Sequence, residues 1–305
     1  MQIKRLITTY IFFICNILIA LSQQINFERY NIEKGLIHPS IYTINQDKSG
    51  FIWIGTGAGL CRFDGTKFTK PSSNDTITDA YVSCSFRSSE GTLWIGYDDG
   101  SIYSIEKLKL KKIYRNYSSP SVITSFVETK NNKIIAVSQN NGFFIIDNNK
   151  IINFKPVVPK LIYSIKEVDE NEFLVGCQDG LWIVSSEKNY SELVFREKIN
   201  EIPSTKVQCI LFSKKDNGFF VGTEDEGLYF LKKNKGWKVT KLINDKKFDN
   251  INIQSLLIDR QNNLWVCTFG NGVLKLQYDS INKKFSNIII YDQNNGVGDN
   301  YIKCA

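Results

Sequence analysis

The sequence predicts an all-β chain, a β-propeller with six near-complete four-stranded blades and the start of a seventh. The first observation is a repeat, because a large apolar residue recurs at positions 53, 94, 135, 174, 220 and 265. A period of about 40 residues is that of one propeller blade. The second is composition, since aromatic residues make up 13% of the chain and favour strands. The third is that no stretch after residue 22 shows the apolar period of a helix.

Each repeat divides into four strands separated by polar turns. In the first repeat, residues 41–46 form a strand, and the turn at 47–50 ends in a glycine that tolerates positive φ. Residues 51–56 are mostly apolar at consecutive positions, which indicates a strand covered on both faces. The repeated core positions are Trp53, Gly55, Trp94, Gly96, Gly176, Phe220, Gly222 and Trp265. The predicted blades span residues 36–78, 79–118, 119–158, 159–200, 201–245 and 246–292, and residues 293–305 are predicted to begin the next blade.

The two ends of the repeat region bear on how the ring closes. Residues 25–31 are predicted to form a lone strand before the first blade. In a closed propeller such a strand can supply the outermost strand of the last blade. Because the repeat stops where a blade would continue, we expect the sequence to be part of a longer protein. A six-bladed ring with leftover ends is the alternative.

The first 22 residues differ from the rest of the chain. Lys4 and Arg5 precede an apolar stretch, and residues 20–22 resemble a small-residue cleavage site. This order is typical of a secretory signal peptide, so residues 1–22 are predicted to be removed and residues 23–305 to form an exported propeller domain. The alternative is a retained membrane anchor, for which the stretch is short. Six later cysteines form no C-x-x-C pair and are expected to be buried free thiols.

Residues 47–65 read Asp-Lys-Ser-Gly-Phe-Ile-Trp-Ile-Gly-Thr-Gly-Ala-Gly-Leu-Cys-Arg-Phe-Asp-Gly, and residues 94–96 and 264–268 repeat parts of this pattern. The pattern resembles the two-component regulator propeller repeat. The resemblance implies the periplasmic sensor region of a hybrid two-component system of the Bacteroidetes type, with a membrane tether and a histidine kinase elsewhere in a longer chain. The partners it implies are a small-molecule or oligosaccharide ligand, the rest of the longer chain or a second propeller, and a second copy of the chain.

The residues themselves give little support for catalysis. His38 is the only histidine, so a multi-histidine metal site is excluded and a nucleophile would have one available base. No phosphate-binding glycine motif precedes a helix, and no cofactor is expected. The net charge of +7 is spread over single lysines, which does not favour nucleic-acid binding. The alternative functions are a secreted propeller enzyme, either a lyase or a glycosidase, and a protein-binding scaffold.

Polar residues recur in the loops between the second and third strands of the repeats. These loops are expected to lie beside the loops that link the blades, at one rim of the central channel, where a propeller offers a concave polar pocket. Asparagine and aspartate also favour turns intrinsically, which is the alternative explanation. The candidate ligand-binding residues are Asp98, Asp99, Asn140, Asp179, Glu224, Asp225 and Asn271.

Overall fold

The fold consists of six antiparallel four-stranded sheets arranged as the blades of a β-propeller. The structure is a computed structural model. It describes residues 27–71, 80–106, 108–115, 120–155, 160–187, 190, 192–243, 248, 250–279, 281–282 and 284–304. The predicted signal peptide, residues 1–22, lies outside the described residues. The predicted all-β propeller with four-stranded blades is confirmed.

The first three blades each form a meander in which neighbouring strands are consecutive in the chain. Blade 1 contains β1 (Ile41–Gln46), β2 (Ile52–Thr56), β3 (Gly59–Phe63) and β4 (Phe68–Thr69). Blade 2 contains β5 (Val82–Arg87), β6 (Leu93–Tyr97), β7 (Ile102–Glu106) and β8 (Lys109–Tyr114). Blade 3 contains β9 (Ile123–Glu128), β10 (Ile134–Ser138), β11 (Gly142–Asp147) and β12 (Lys150–Lys155).

The last three blades follow the same order. Blade 4 contains β13 (Ile162–Asp169), β14 (Glu172–Cys177), β15 (Gly180–Glu187) and β16 (Glu192–Lys198). Blade 5 contains β17 (Val207–Ser213), β18 (Gly218–Thr223), β19 (Leu228–Lys233) and β20 (Trp237–Lys241). Blade 6 contains β21 (Ile253–Ile258), β22 (Leu264–Thr268), β23 (Val273–Asp279) and β24 (Lys284–Tyr291). Short 3-10 helices cover Ile32–Lys34 and Gln293–Asn295.

Consecutive blades touch through their first strands, which lie next to one another from blade 1 to blade 6. The glycine of the second strand makes this approach possible. A β-carbon at Gly55 would lie 2.5 Å from Cγ1 of Val82 in blade 2, and one at Gly96 would lie 2.6 Å from Cγ2 of Ile123 in blade 3. Side chains cannot approach so closely, so a larger residue at these positions would push the blades apart.

The hydrophobic core lies between the blades. Trp53 of blade 1 is 2% exposed and packs with Val82 and Ile95 of blade 2. Its indole Nε1 donates a hydrogen bond of 2.8 Å to Oδ2 of Asp47, in the turn between β1 and β2. Because neighbouring blades cover both faces of the sheets of blades 2 to 5, their second strands can be apolar at consecutive positions.

Blade 3, where the repeat is least regular, still forms a complete sheet. Val137 stands where the other blades have a small residue, and it is fully buried together with Ile135 and Phe143. These residues share one apolar cluster with Ile162 and Phe173 of blade 4. Burial of the four apolar residues of β10 therefore compensates for the lost glycine pattern.

The segments outside the blades differ from the sequence prediction. The described part of the predicted strand at residues 25–31, residues 27–31, contains no strand, and a 3-10 helix follows it. Residues 293–304 begin with a second 3-10 helix and form one isolated bridge, between Tyr301 and Phe269. No helix among the described residues is long and apolar enough to cross a membrane.

The two 3-10 helices are local copies of each other. The backbone N–H of Leu36 donates to the carbonyl of Asn31, and that of Val297 donates to the carbonyl of Asp292, both at 3.1 Å. Each helix ends at a glycine in the left-handed region, with a φ of 96° at Gly35 and 104° at Gly296. Residues 291–304 therefore repeat the lead-in to blade 1, and the blade predicted to begin there stays a prediction.

Candidate ligand-binding rim

The loops between second and third strands lie beside the loops that link the blades, and together they form what we call the upper rim. The backbone N–H of Asp98 donates to the carbonyl of Tyr81 at 3.2 Å, and that of Glu224 donates to the carbonyl of Lys206 at 2.9 Å. The last residue of the second strand shapes three of these loops. In blade 5, for example, the buried Thr223 donates its hydroxyl to the carbonyl of Gly227 at 2.8 Å.

In blade 4 the candidate carboxylate is held by one charged and one neutral hydrogen-bond donor. Nζ of Lys160 lies 2.8 Å from Oδ2 of Asp179, and the indole of Trp182 donates to Oδ1 at 3.0 Å. Burial raises the pKa of Asp179, but these two hydrogen bonds outweigh it and the pKa lies below its usual range. Asp179 is therefore a charged residue whose bonds hold the rim together.

The two candidate carboxylates of blade 5 also have partners within the rim. Lys206 lies 3.5 Å from Oε1 of Glu224. The hydroxyl of Thr205 donates to Oδ1 of Asp225. Ion pairs of this kind, at a partly exposed surface, contribute little free energy to folding. They fix the side chains in place around the end of the channel.

Blade 2 contributes a carboxylate with spare hydrogen-bonding capacity. Asp98 is half-buried, and its Oδ1 has no hydrogen-bond partner in the part of the chain that the structure describes. Burial, and then the neighbouring charge of Asp99, raise the pKa of Asp98. Asp99 itself forms an ion pair of 3.5 Å with Arg115. Asp98 is therefore a rim carboxylate with an acceptor oxygen that receives no hydrogen bond from the described residues.

The two candidate asparagines lie in the equivalent loops of blades 3 and 6. Their backbone N–H groups donate to hydroxyl groups, Asn140 to Ser121 at 3.0 Å and Asn271 to Thr268 at 3.1 Å. The seven candidates thus surround one end of the propeller, but the contacts that hold them are within or between adjacent loops. Within the described ranges, no three histidine, cysteine, aspartate or glutamate residues are arranged to hold a metal ion.

The upper rim also contains tyrosines that the sequence analysis missed. The rings of Tyr42 and Tyr81 stack with centroids 4.8 Å apart and planes at 30°. Nζ of Lys303 lies 4.3 Å from the Tyr42 ring, and Nζ of Lys206 lies 4.4 Å from the Tyr163 ring. These residues stand just before, or at the second position of, the innermost strand of a blade. Comparison of these two positions across the repeats would have found them.

His38 lies in the loop before β1 and is half-buried. Its Nδ1 accepts a hydrogen bond of 3.1 Å from the backbone N–H of Ser40. Its ring covers Gly57, where a β-carbon would lie 2.6 Å from Cε1 of His38. The side chain of His38 therefore packs against the loop between β2 and β3.

The six cysteines after the predicted signal peptide are all free thiols. Three are buried and three are half-buried, and burial raises the pKa of each. The structure gives no sign of a nucleophilic thiolate among them, because a reactive cysteine needs a lowered pKa.

Two segments of the chain, residues 35–58 and 247–270, match the family model described as two-component regulator propeller. Each segment covers the lead-in and the first two strands of a blade, β1 and β2 in blade 1 and β21 and β22 in blade 6. No curated protein sequence matches the chain.

Solved structures share the fold at low sequence identity. The extracellular domain of the hybrid two-component system BT3049 from B. thetaiotaomicron is 19% identical with a TM-score of 0.70, and the match covers 90% of this chain and 38% of that one. The extracellular domain of BT4673 from the same organism is 18% identical with a TM-score of 0.66, covering 88% and 36%. Virginiamycin B lyase from Staphylococcus aureus is 17% identical with a TM-score of 0.65, covering 85% of each chain.

The chain therefore spans less than two fifths of the length of the two-component structures that it resembles. At these identities the likeness concerns the fold, and the family model adds a match to two segments of the chain. The chain is a β-propeller in which two segments match the two-component regulator propeller model, and it shares its fold with the extracellular domains of hybrid two-component systems.

Proposed function

We propose that this propeller is the exported, ligand-sensing part of a two-component regulatory system. Its ligand is of carbohydrate type and binds at the upper rim, and the signal passes to a kinase elsewhere in a longer, membrane-tethered protein. The region itself is not an enzyme. The matched repeats and the fold of the extracellular two-component domains support this proposal.

The observation that carries the ligand class is the pair of stacked tyrosines next to an unpartnered carboxylate oxygen. Tyr42 and Tyr81 are half-buried aromatic residues of the upper rim, and Asp98 follows the neighbouring strand in the same rim. An aromatic face packs against the C–H groups of a sugar ring, while a half-buried carboxylate accepts hydrogen bonds from its hydroxyls. The three side chains thus offer both kinds of contact that a pyranose makes.

Ligand binding at this site can be transmitted through the propeller, because the site lies between blades. Tyr42 belongs to blade 1, Tyr81 immediately precedes blade 2, and Lys303 belongs to the segment after blade 6. A ligand that contacts all three favours one relative position of these elements over others. Signalling needs no more than this difference in affinity between two arrangements of the propeller.

Calorimetric titration of the purified chain with a panel of oligosaccharides tests the proposal. We expect saturable binding of at least one glycan, weakened by about tenfold or more in Tyr42→Ala, Tyr81→Ala and Asp98→Asn. Phe212→Ala is the matched control, since Phe212 is an exposed aromatic residue near the opposite end of a first strand. Binding that the three rim variants leave unchanged, or no heat from any glycan, would refute the proposed site.

A lyase is the second candidate function. The fold is shared over 85% of both chains with virginiamycin B lyase, and a catalytically inactive histidine-to-alanine variant of that enzyme was solved with quinupristin. This chain has one histidine, His38, with Nδ1 already engaged by Ser40. Incubation of the chain with quinupristin, followed by mass spectrometry, decides the matter. Cleavage that disappears in His38→Ala would establish the lyase, and we expect no cleavage.

A further inference from the structure

The face of the propeller opposite the upper rim contains a polar cavity between blades 2 and 3. Its volume is about 340 Å³, within the range of small-molecule sites. We call it the lower acidic cavity. It is formed by the first-to-second-strand and third-to-fourth-strand turns of the two blades. Its lining residues are Ser88, Glu90, Thr92, Trp94, Glu106, Glu128, Asn131, Asn132, Ile134, Ile146, Asp147, Asn148 and Asn149.

Four carboxylates line this cavity, and no lysine or arginine is among its lining residues. The hydrogen bonds that the carboxylates accept come from neutral groups. Oε1 of Glu106 accepts from Nδ2 of Asn149 at 2.7 Å, and Oε1 of Glu128 accepts from the hydroxyl of Ser89 at 2.8 Å. Neutral donors orient a carboxylate without balancing its charge. The cavity therefore favours a cation.

A second, independent feature of the cavity is an indole N–H without a partner. Trp94 is 4% exposed, and its Nε1 donates no hydrogen bond to any residue that the structure describes. In blades 1 and 6 the equivalent indoles donate to an aspartate in the first turn, at 2.8 Å for Trp53 and 2.9 Å for Trp265. Blade 2 has Ser88 at that turn position, and its short side chain leaves the indole unsatisfied. Both Ser88 and Trp94 line the cavity.

We propose that the lower acidic cavity binds a small organic cation of the amino-sugar class, an ammonium group beside hydroxyl oxygens. The ammonium donates hydrogen bonds to the carboxylates of Glu106 and Asp147. A hydroxyl oxygen of the same ligand accepts the N–H of Trp94 and takes the place of the aspartate found in blades 1 and 6. An oxygen acceptor and a positive charge on one molecule satisfy both features of the site.

A bare metal ion fits this site less well than an organic cation. Among the described residues, no group of three carboxylate, histidine or cysteine side chains is arranged to ligate a metal. The carboxylates are spread along the walls of a cavity of about 340 Å³, which suits a ligand with several polar groups. This site is separate from the upper rim, and it does not depend on the proposed function there.

The test uses the indole N–H signals of the full chain in two-dimensional ¹⁵N NMR. Trp94→Phe identifies the Trp94 signal by its loss. Titration with glucosamine is expected to shift this signal saturably, while N-acetylglucosamine, which keeps the hydroxyls and lacks the charge, leaves it in place. Glu106→Gln and Asp147→Asn are expected to weaken glucosamine binding by about tenfold each, which corresponds to about 1.4 kcal/mol.

Glu201→Gln is the control for a change of net charge, since Glu201 is exposed and does not line the cavity. We expect this variant to bind glucosamine as the unchanged chain does. Three results overturn the proposal: an equal response to both sugars, no saturable shift of the Trp94 signal, or displacement of glucosamine by calcium at equimolar concentration. The wild-type comparison of the two sugars stands even if a cavity variant fails to fold.

Discussion

The core tryptophans show how one side chain in a turn changes the energetics of a blade. The carboxylate of Asp47 accepts a hydrogen bond from the indole N–H of Trp53. It also accepts hydrogen bonds from the backbone N–H groups of Ser49 and Phe51. In blade 2 the shorter Ser88 accepts from the backbone N–H of Thr92 and leaves the indole of the equivalent tryptophan unsatisfied. A buried donor without an acceptor costs about 1–3 kcal/mol.

Ser88→Asp is therefore expected to stabilise the chain. The new carboxylate can accept the N–H of Trp94 as Asp47 accepts that of Trp53, and we expect the free energy of unfolding to rise by about 1 kcal/mol. Urea denaturation measures it. The matched control is Thr129→Asp in blade 3, where Ile135 occupies the position of the tryptophan and no indole is present. An equal gain in both variants would contradict the explanation.

The buried cysteines make a prediction about reactivity and pH. Burial raises the pKa of Cys84, Cys177, Cys209 and Cys304 to about 12, and that of Cys61 to about 11, from 9.0. We expect iodoacetamide to modify the native chain much more slowly than the unfolded chain, because the thiolate is the nucleophile. Mass spectrometry of timed samples measures this. Equal rates would show that the thiols are accessible in the folded state.

The same shifts determine the sign of a pH effect on stability. Above pH 9 the unfolded chain loses thiol protons that the folded chain retains. The free energy of unfolding therefore falls as the pH rises. The stability that these groups contribute is complete below pH 9 and is lost as the pH rises toward 12. Replacing Cys177 with Ala is expected to reduce the slope of stability against pH in this interval.

The site residues could be predicted from the sequence only in part. The recurring acidic and amide residues marked the loops that form the upper rim, because their position in the repeat is regular. Their bonding could not be predicted, since the lysine that neutralises Asp179 and the hydroxyl that contacts Asp225 come from the preceding inter-blade loop. Tyr42 and Tyr81 are 39 positions apart in the sequence. Their stacking depends on β1 and the start of β5 lying side by side.

At the scale of the strand, the spacing between blades depends on the second-strand glycines. Gly96→Ala places a β-carbon 2.6 Å from Ile123 and 2.8 Å from the sulfur of Cys84. Neither the Ile123 nor the Cys84 side chain can move away, because both belong to first strands that are packed between blades. Overpacking of this kind costs about 1–3 kcal/mol, and we expect a loss of that size in the free energy of unfolding.

Gly236→Ala is the control for this substitution. Gly236 lies in the turn before β20, where an added β-carbon would meet nothing within 4 Å and the backbone has no positive φ. Denaturant titration of both variants gives the comparison. We expect a change within about 0.5 kcal/mol at this surface position. If Gly96→Ala were equally harmless, the blades would not be in the contact described.

The strands of the blades were predictable because each has its hydrogen-bonding neighbour within the same repeat. The lone strand expected at residues 25–31 has no such neighbour in sequence, and strand formation requires one. In the structure, residues 27–30 are held by ring contacts instead. Phe27 meets Tyr291 of blade 6 at 5.8 Å, and Tyr30 meets Phe63 of blade 1 at 4.9 Å. The aromatic residues of this segment did not by themselves distinguish a paired strand from a segment held by ring contacts.

For the whole molecule, the junction between blades 6 and 1 differs from the five others. The other neighbouring blades meet through their first strands. At this junction, residues 27–30 and 293–304 contact the two blades through Phe27, Tyr301 and Lys303. Side chains remain exposed here, with Phe27 at 44%, Phe269 at 47% and Tyr301 at 58%. Grouped apolar residues on a surface favour association with another apolar surface.

We therefore expect the chain of residues 23–305, purified by itself, to be poorly soluble or to dimerise. Sedimentation velocity at several concentrations measures this. Replacing Phe269 and Tyr301 with serine is expected to shift the population toward monomer, because it removes the rings exposed at the junction. Ile281→Ser is the control, since Ile281 is 90% exposed in the turn between β23 and β24, away from the junction. A monodisperse monomer that melts cooperatively would mean that the present contacts already cover the junction well enough, and that the exposed rings drive no association.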